Sequence, residues 1–306
     1  MGGVVILGVF VADTAYRAAR MPRMGETILG EGFVLGPGGK GSNQAVAAAR
    51  LGGEVHFISR LGDDAFAAMA FDLWAGAGVR PVVVRDPGSY TGAAFIFVHA
   101  ASGDNAIIIS PGAAARIAAA DLDAEAELIG RASVFMTQLE QPLEAAVRGL
   151  EIARAAGATT ILNPAPARDL PDAVLARCDW MTPNESEASA LTGLTVESVE
   201  AARAAADALL ERGARGVVVT LGPQGALLHA GGLSEVVPAM PAGRVVETTG
   251  AGDAFNGGFA VGLAEGLPPR DAVRLGAATA GISVTRPGTA PSMPTRAEVQ
   301  ALLARG

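Results

Sequence analysis

Residues 250–253, Gly-Ala-Gly-Asp, place three small residues directly before a carboxylate, where the stretch ETTGAGDAFNGGFAVGLAEG passes from glycines into a helical pattern. The amides of Gly250, Ala251 and Gly252 can converge at that helix N-terminus, whose partial positive charge suits an anion developing during a reaction. Asp253 shares the cradle. A carboxylate there can take the proton of an alcohol nucleophile while the amides steady a transferring phosphoryl group. The same four residues also read as a helix cap behind a tight turn, and the stretch alone leaves both readings open.

A second glycine-rich stretch, GPGGKGSNQ at 36–44, invites two nucleotide-binding templates. The phosphate loop Gly-x-x-x-x-Gly-Lys-Ser/Thr fails, because Val34 stands at its first glycine and Gly41 follows Lys40. The dinucleotide fingerprint fits nominally, with Gly36, Gly38 and Gly41 in place and Asp63 and Asp64 about 20 residues on. That fingerprint belongs in the turn after a first strand, however, and the first strand signal, VVILGVF, lies far upstream.

Composition narrows the function classes. A chain of 306 residues with 50% hydrophobic content can bury a substantial core. Net charge is -8, from 23 basic and 31 acidic residues without a basic run, which leaves no electrostatic footprint for nucleic acid. The single cysteine, Cys178, excludes an internal disulfide, and His56, His99 and His229 lack metal-ligand spacing. A reducing cytoplasm is the expected setting. The apolar start VVILGVFVA meets Asp13 too soon to span a bilayer and lacks a basic leader, so it reads as a buried strand.

The elements that must hold these residues alternate between strand and helix, the pattern of a parallel sheet covered on both faces. Phe66, Met69, Ala70 and Leu73 recur at helical spacing, and PLEAAVRGLEIARAAG has Pro142 at a helix start and Gly157 at its stop. SVFMTQ, TTILNP, DWMTPN and GVVVTLG are short β-rich runs, each ending where a helix should follow and where ligands gather in open α/β sheets. The alanine-rich VESVEAARAAADALLERGARG is a good helix former. Segments at about 14–37 and 89–110 carry consecutive strand signals without a helix between them, and are expected to form antiparallel strands outside the main sheet, as a lid or a dimer surface.

GGKGSNQAVAAARLG and TTGAGDAFNGGF resemble the two signatures of the ribokinase-like (PfkB-type) carbohydrate kinases. NPAPARDLP, TPNESEASALTG, VVTLGPQGALL and VTRPGTAPSMP extend the resemblance over nearly the whole chain, in the same order and at similar spacing. Within that family, GGKGSNQA, QLEQPLE and NPAPA are more similar to the ribokinase branch than to fructokinases, adenosine kinases or ketodeoxygluconate kinases. The resemblance implies one three-layer α/β/α domain over residues 1–306, with a mainly parallel central sheet and a small β lid. It implies ATP-dependent phosphorylation of the primary hydroxyl of a pentose, D-ribose first, with Asp253 as base and Gly250, Ala251 and Gly252 as anion hole. Asp13, Gly39, Lys40, Asn43 and Glu140 match the family's sugar contacts, with Ser42 beginning the helix that follows. Asn184 and Glu187 match its N-x-x-E motif for magnesium and phosphate, and Thr220, Gly222 and Gly225 its nucleotide loop. A potassium site would use Glu247, Thr249, Ser283, Arg286, Gly288 and Ser292, several through backbone carbonyls, and a homodimer through the lid strands would complete the assembly.

Three positions depart from that pattern. Val11 stands where an asparagine usually contacts sugar hydroxyls, which weakens recognition of one hydroxyl and opens the site to 2-deoxyribose or a nucleoside. Glu247 replaces the usual aspartate of the cation site. Ala277 replaces an Asn or His near the adenine, which relaxes nucleotide preference. A sensor that binds sugar or nucleotide without turnover is the reading from another class, against which an intact Asp253 and its glycines stand.

Overall fold

The computed structural model describes residues 3–305. The first apolar run is shared between two sheets: β1 (Val4–Leu7) enters the large one and β2 (Val11–Ala18) the small one. The break falls at Gly8, where a Cβ would stand 2.6 Å from Gln138 Oε1 and 2.7 Å from Gly41 Cα. No side chain fits at that crossing, so the chain turns there.

In chain order the remaining strands are β3 (Gly32–Gly38), β4 (Val55–Leu61), β5 (Arg80–Arg85), β6 (Thr91–His99), β7 (Asn105–Gly112) and β8 (Val134–Thr137). They continue as β9 (Thr159–Leu162), β10 (Trp180–Met181), β11 (Gly216–Thr220), β12 (Ala226–Ala230) and β13 (Leu233–Val237). The large sheet runs β13-β12-β11-β10-β9-β8-β1-β4-β5. Pairing is parallel from β11 to β5 and antiparallel for the last two strands. The strand GVVVTLG is therefore not followed by a helix, as expected, but by one short turn and the β12–β13 hairpin, which closes that edge of the sheet.

Strands buried on both faces show alternation in where their side chains go rather than in their polarity. Val4 and Ile6 enter one apolar cluster, with Phe10, Phe57, Trp74, Phe255 and Phe259; Val5 and Leu7 enter the other, with Phe135, Leu150 and Leu209. Helices Lys40–Arg50, Ala65–Ala77, Ala251–Ala264 and Pro269–Ser283 cover the first face. Helices Leu143–Ala155, Glu185–Thr192 and Val199–Glu211 cover the second, which completes the expected three layers.

The chain builds outward from β1 in both directions, to β4 and β5 on one side and to β8 through β11 on the other. A crevice opens beyond the carboxyl ends at such a switch point. The small sheet, β3-β2-β6-β7, stands over it. Its expected all-antiparallel pairing needs correction: β2–β3 and β6–β7 are antiparallel, but β2 and β6 run parallel. The chain returns through β4 and β5 before entering β6, a long crossover that permits the parallel pair.

Candidate active site

The site is assembled where two helix N-termini meet beneath the small sheet. Helix Lys40–Arg50 begins behind Gly39, whose φ of 90° and distance of 2.4 Å from a built Cβ to Val9 O admit only glycine. Helix Ala251–Ala264 begins behind Gly250, also left-handed at φ 80°. Neither start carries a side-chain cap. Ser42, expected to begin its helix, is instead already inside it, and its Oγ accepts the Trp74 indole N–H at 2.9 Å. In helix Lys40–Arg50 the first-turn amides of Lys40, Ser42 and Asn43 are taken up by Glu140 Oε2, Val9 O and Gly39 O, whereas the start of helix Ala251–Ala264 keeps free amides that a ligand can use. Ala251 N–H bonds to Thr248 O at 3.1 Å, while those of Gly252 and Asp253 have no acceptor among the described residues.

The two helices pack through small residues: a Cβ on Gly257 would lie 2.6 Å from Ala47 Cβ and 2.9 Å from Gln44 O. This approach brings Asn43 and Gln44 to Asp253. Asn43 Nδ2 donates to Asp253 Oδ2 at 3.0 Å, and Gln44 Nε2 donates to Oδ1 at 3.1 Å. Asp253 is 7% exposed. Burial raises its pKa, against the Lys40 charge and the two amide donors. A carboxylate so placed, accepting from neutral donors only, can receive a proton from a hydroxyl.

Sugar-site candidates gather around it. Lys40 N–H donates to Glu140 Oε2 at 2.8 Å. Burial would lower the Lys40 pKa, but Asp253, Glu140 and Glu187 together outweigh it and hold the ammonium charged. Desolvation pushes Glu140 up to about 7 and Asp13 up to about 6. Asp13 reaches over from β2 across β3: a Cβ on Gly38, the partner of Val11 in that pairing, would touch the Asp13 carboxylate at 2.2 Å. Val11, two residues earlier on the same face of that strand, is buried in the apolar cluster that includes Leu139 and Ala94.

An open cleft runs onward from Lys40 and Asp253, lined also by Asn184, Glu187, Thr220, Gly250 and Gly252. Asn184 and Glu187 cap one another: Asn184 Oδ1 accepts Glu187 N–H at 2.8 Å and Glu187 Oε2 accepts Asn184 N–H at 2.9 Å. The motif is therefore a helix cap as well as a cleft wall, with Asn184 Nδ2 and Glu187 Oε1 left over for a ligand. Gly222 and Gly225 shape the turn after β11 and lie outside that lining.

The expected cation residues come together beside the anion-hole turn. Val246 and Glu247 N–H groups bond to Val284 O at 2.8 and 3.2 Å, and Glu247 Oε2 accepts Gly288 N–H at 2.7 Å. Ser283 and Ser292 hydroxyls are spent on Ala280 O and Thr289 O, and the Arg286 side chain on Glu298. Thr249 is exposed on the adjoining turn. Oxygen donors of this kind fit a hard cation. Among the described residues no group of three or more His, Cys, Asp or Glu could hold a metal, and no helix is long and apolar enough to cross a membrane.

Ala277 is buried in helix Pro269–Ser283. The dinucleotide reading loses its acids: Asp63 pairs with Arg85, and Asp64 caps helix Ala65–Ala77 through Ala67 N–H. Gly36 and Gly38 lie in β3, not in a turn after β1.

Sequence reasoning missed a set of buried amides behind Asp253. Gln44 Nε2 also donates to Asn163 Oδ1 at 3.0 Å, Gln138 Nε2 donates to Gln44 Oε1 at 2.6 Å, and Asn163 Nδ2 donates to Thr182 O at 3.0 Å. Thr182 Oγ1 donates to Asn256 Oδ1 at 2.6 Å and Asn256 Nδ2 donates to Gly252 O at 2.9 Å. Polar residues in otherwise apolar strand ends and helix faces were the available signal.

The pfkB family carbohydrate kinases match residues 1–296. The ribokinase of Haemophilus influenzae is 37% identical over 296 residues, covering 96% of both chains. The deoxyribokinase of Salmonella typhi is 36% identical over 294 residues, covering 95% of both. The structure of Arabidopsis thaliana ribokinase complexed with ribose and ATP superimposes with a TM-score of 0.94 at 32% identity, over 99% of this chain and 98% of that one.

Proposed function

The chain belongs to the pfkB family of carbohydrate kinases, and on that premise we propose that it transfers the γ-phosphoryl group of ATP to the primary hydroxyl of D-ribose, forming ribose 5-phosphate. The observation that carries this is Asp253, nearly enclosed, held on both oxygens by neutral amides, at the open N-terminus of a helix. In the step assigned to it, Asp253 takes the hydroxyl proton as the sugar oxygen bonds to phosphorus and the bond to ADP breaks. The amides of Gly250 and Gly252 face the charge that spreads over the phosphoryl oxygens, while that of Ala251 is held by Thr248 O and would have to leave it to join them. Asp13, Gly39, Lys40, Asn43 and Glu140 bind the sugar; Asn184, Glu187, Thr220, Gly222 and Gly225 serve the nucleotide.

Asn184 and Glu187 would hold magnesium beside the nucleotide, where it would neutralise phosphate charge. Potassium belongs at Glu247 and the carbonyls of the 283–292 segment, next to the anion hole. The lone buried Cys178 suits a cytoplasmic enzyme. Val11 favours a second substrate, 2-deoxyribose, because valine offers no partner to one sugar hydroxyl.

The test is ADP release with magnesium and ATP across ribose, 2-deoxyribose, fructose and common nucleosides, with the product identified. Turnover of none of them overturns the reading. Binding without turnover would make the protein a sensor.

A further inference from the structure

Gln44 is completely buried, and every polar atom of its side chain is committed: Nε2 to Asp253 Oδ1 and Asn163 Oδ1, Oε1 to the Nε2 of Gln138. The orientation of this amide is therefore fixed. Turned over, it would set an oxygen against two oxygen acceptors and an NH2 against the NH2 of Gln138. Gln138 is itself clamped, its Oε1 lying where a Cβ on Gly8 would be 2.6 Å away and one on Gly41 2.8 Å away. That Oε1 is buried without a hydrogen-bond partner, an unfavourable arrangement at the point where the amide chain is anchored.

Asn43 holds the other oxygen of Asp253 differently. Its Oδ1 is buried and unpartnered, so this amide has an acceptor to offer a sugar hydroxyl and must serve two masters when substrate binds. Gln44 has nothing left to offer a substrate. From this asymmetry we propose that Gln44 is the positioning residue for Asp253, locked by Gln138 and Asn163 so that one carboxylate oxygen is pinned and the other is presented to the sugar hydroxyl. The proposal rests on the reading of Asp253 as base.

The role has consequences distinct from simple core packing. Gln44→Met keeps the side-chain length and removes the donor. It lowers kcat about 10- to 100-fold while the sugar KM changes less than about threefold, because the sugar contacts are made by other groups. Loss of a donor to the ionised carboxylate also raises its pKa, so the acidic limb of the kcat profile moves to higher pH. The charged groups around Asp253, namely Lys40, Glu140 and Glu187, are unchanged in the variant. In an Asp253→Asn background the same substitution has no further effect on residual kcat, since it acts only through that carboxylate.

Four enzymes are compared: the parent, Gln44→Met, Asp253→Asn and the double variant. Gln44→Met with parental kcat and pH profile, alongside an inactive Asp253→Asn, overturns the inference alone. Asp253→Asn with undiminished turnover overturns the underlying reading of the site instead. If Gln44→Met does not fold, Gln138→Met decides: it leaves the donor to Asp253 but frees it to rotate. A fall in kcat with sugar KM preserved then supports the proposal, and parental kinetics refute it.

Discussion

Glu140 Oε2 accepts the backbone N–H of Lys40 at 2.8 Å, fastening the segment after β8 to the start of helix Lys40–Arg50 through a carboxyl that burial pushes up to about 7. The bond and the Lys40 charge act in the opposite direction and do not overcome desolvation. The folded state thus holds this proton more tightly than the unfolded chain, where the group titrates near 4.5. Its contribution to stability is fully present below about pH 4.5 and is lost as pH rises through about 7.

Glu140→Gln, which keeps an oxygen for the Lys40 amide, is therefore expected to stabilise the ligand-free protein at pH 8 by on the order of 1–3 kcal/mol. The gain shrinks towards zero near pH 4.5. Asp253 and Glu187 remain to balance Lys40. Paired thermal melts at the two pH values check this, and a lower Tm for the variant at pH 8 contradicts it. Sugar affinity falls in the same variant, since a charged acceptor is lost.

Val11 gives a specificity prediction. It precedes Asp13 on one face of β2 and is buried among apolar neighbours. Val11→Asn is expected to improve the ratio of kcat/KM for ribose over 2-deoxyribose by about 5- to 150-fold, the equivalent of one hydrogen bond of roughly 1–3 kcal/mol. The ratio is measured by competition between the two sugars. A ratio unmoved by the substitution would place Val11 outside the hydroxyl contact.

Much of this architecture is legible in the chain, and the exceptions have physical causes. Asp253 is readable because glycines giving way to a helix state a local geometry. The strands β8 to β11 are readable because buried parallel strands are short, β-rich and bounded by turns. The parallel pairing of β2 with β6 is not, since alternation within a strand is the same whichever way its neighbour runs. Gln44 meets Asp253 where Gly257 lets two helices approach, and Asn163 and Asn256 are joined to it from separate segments, Asn163 directly and Asn256 through Thr182. Each is an isolated amide in its own segment, and nothing local announces the contact.

Glu247 has its Oε2 on the Gly288 amide, which ties the 247–250 turn to the 283–292 segment. Gly250 lies against the same segment, with a built Cβ 3.3 Å from Thr289. A cation held by this loop pair would stiffen the anion-hole turn, so replacing potassium by choline at constant ionic strength is expected to reduce kcat several-fold. Glu247→Gln is expected to raise the potassium concentration needed for half-maximal rate. Equal rates in the two salts would remove the cation from the scheme.

The small sheet leaves apolar side chains uncovered on both faces. Ile107 and Ile109 share the face of Asp13 through the β2–β6–β7 register, and Ile108 lies on the other with Tyr16, Phe33 and Phe95. Phe33 is 56% and Ile108 63% exposed. In the proposed homodimer the Asp13 face would close over the sugar site and the aromatic face would pack on the same face of a second copy, whose chemistry matches it. Phe33→Asp, on a side chain already in solvent, is therefore expected to convert a homodimer into monomers without unfolding the chain. Light scattering across a dilution series reads the mass directly. A parent protein of monomer mass at micromolar concentration would refute the dimer. An undissociated variant would move the interface off this face, since a carboxylate buried against facing aromatics without a partner costs several kcal/mol.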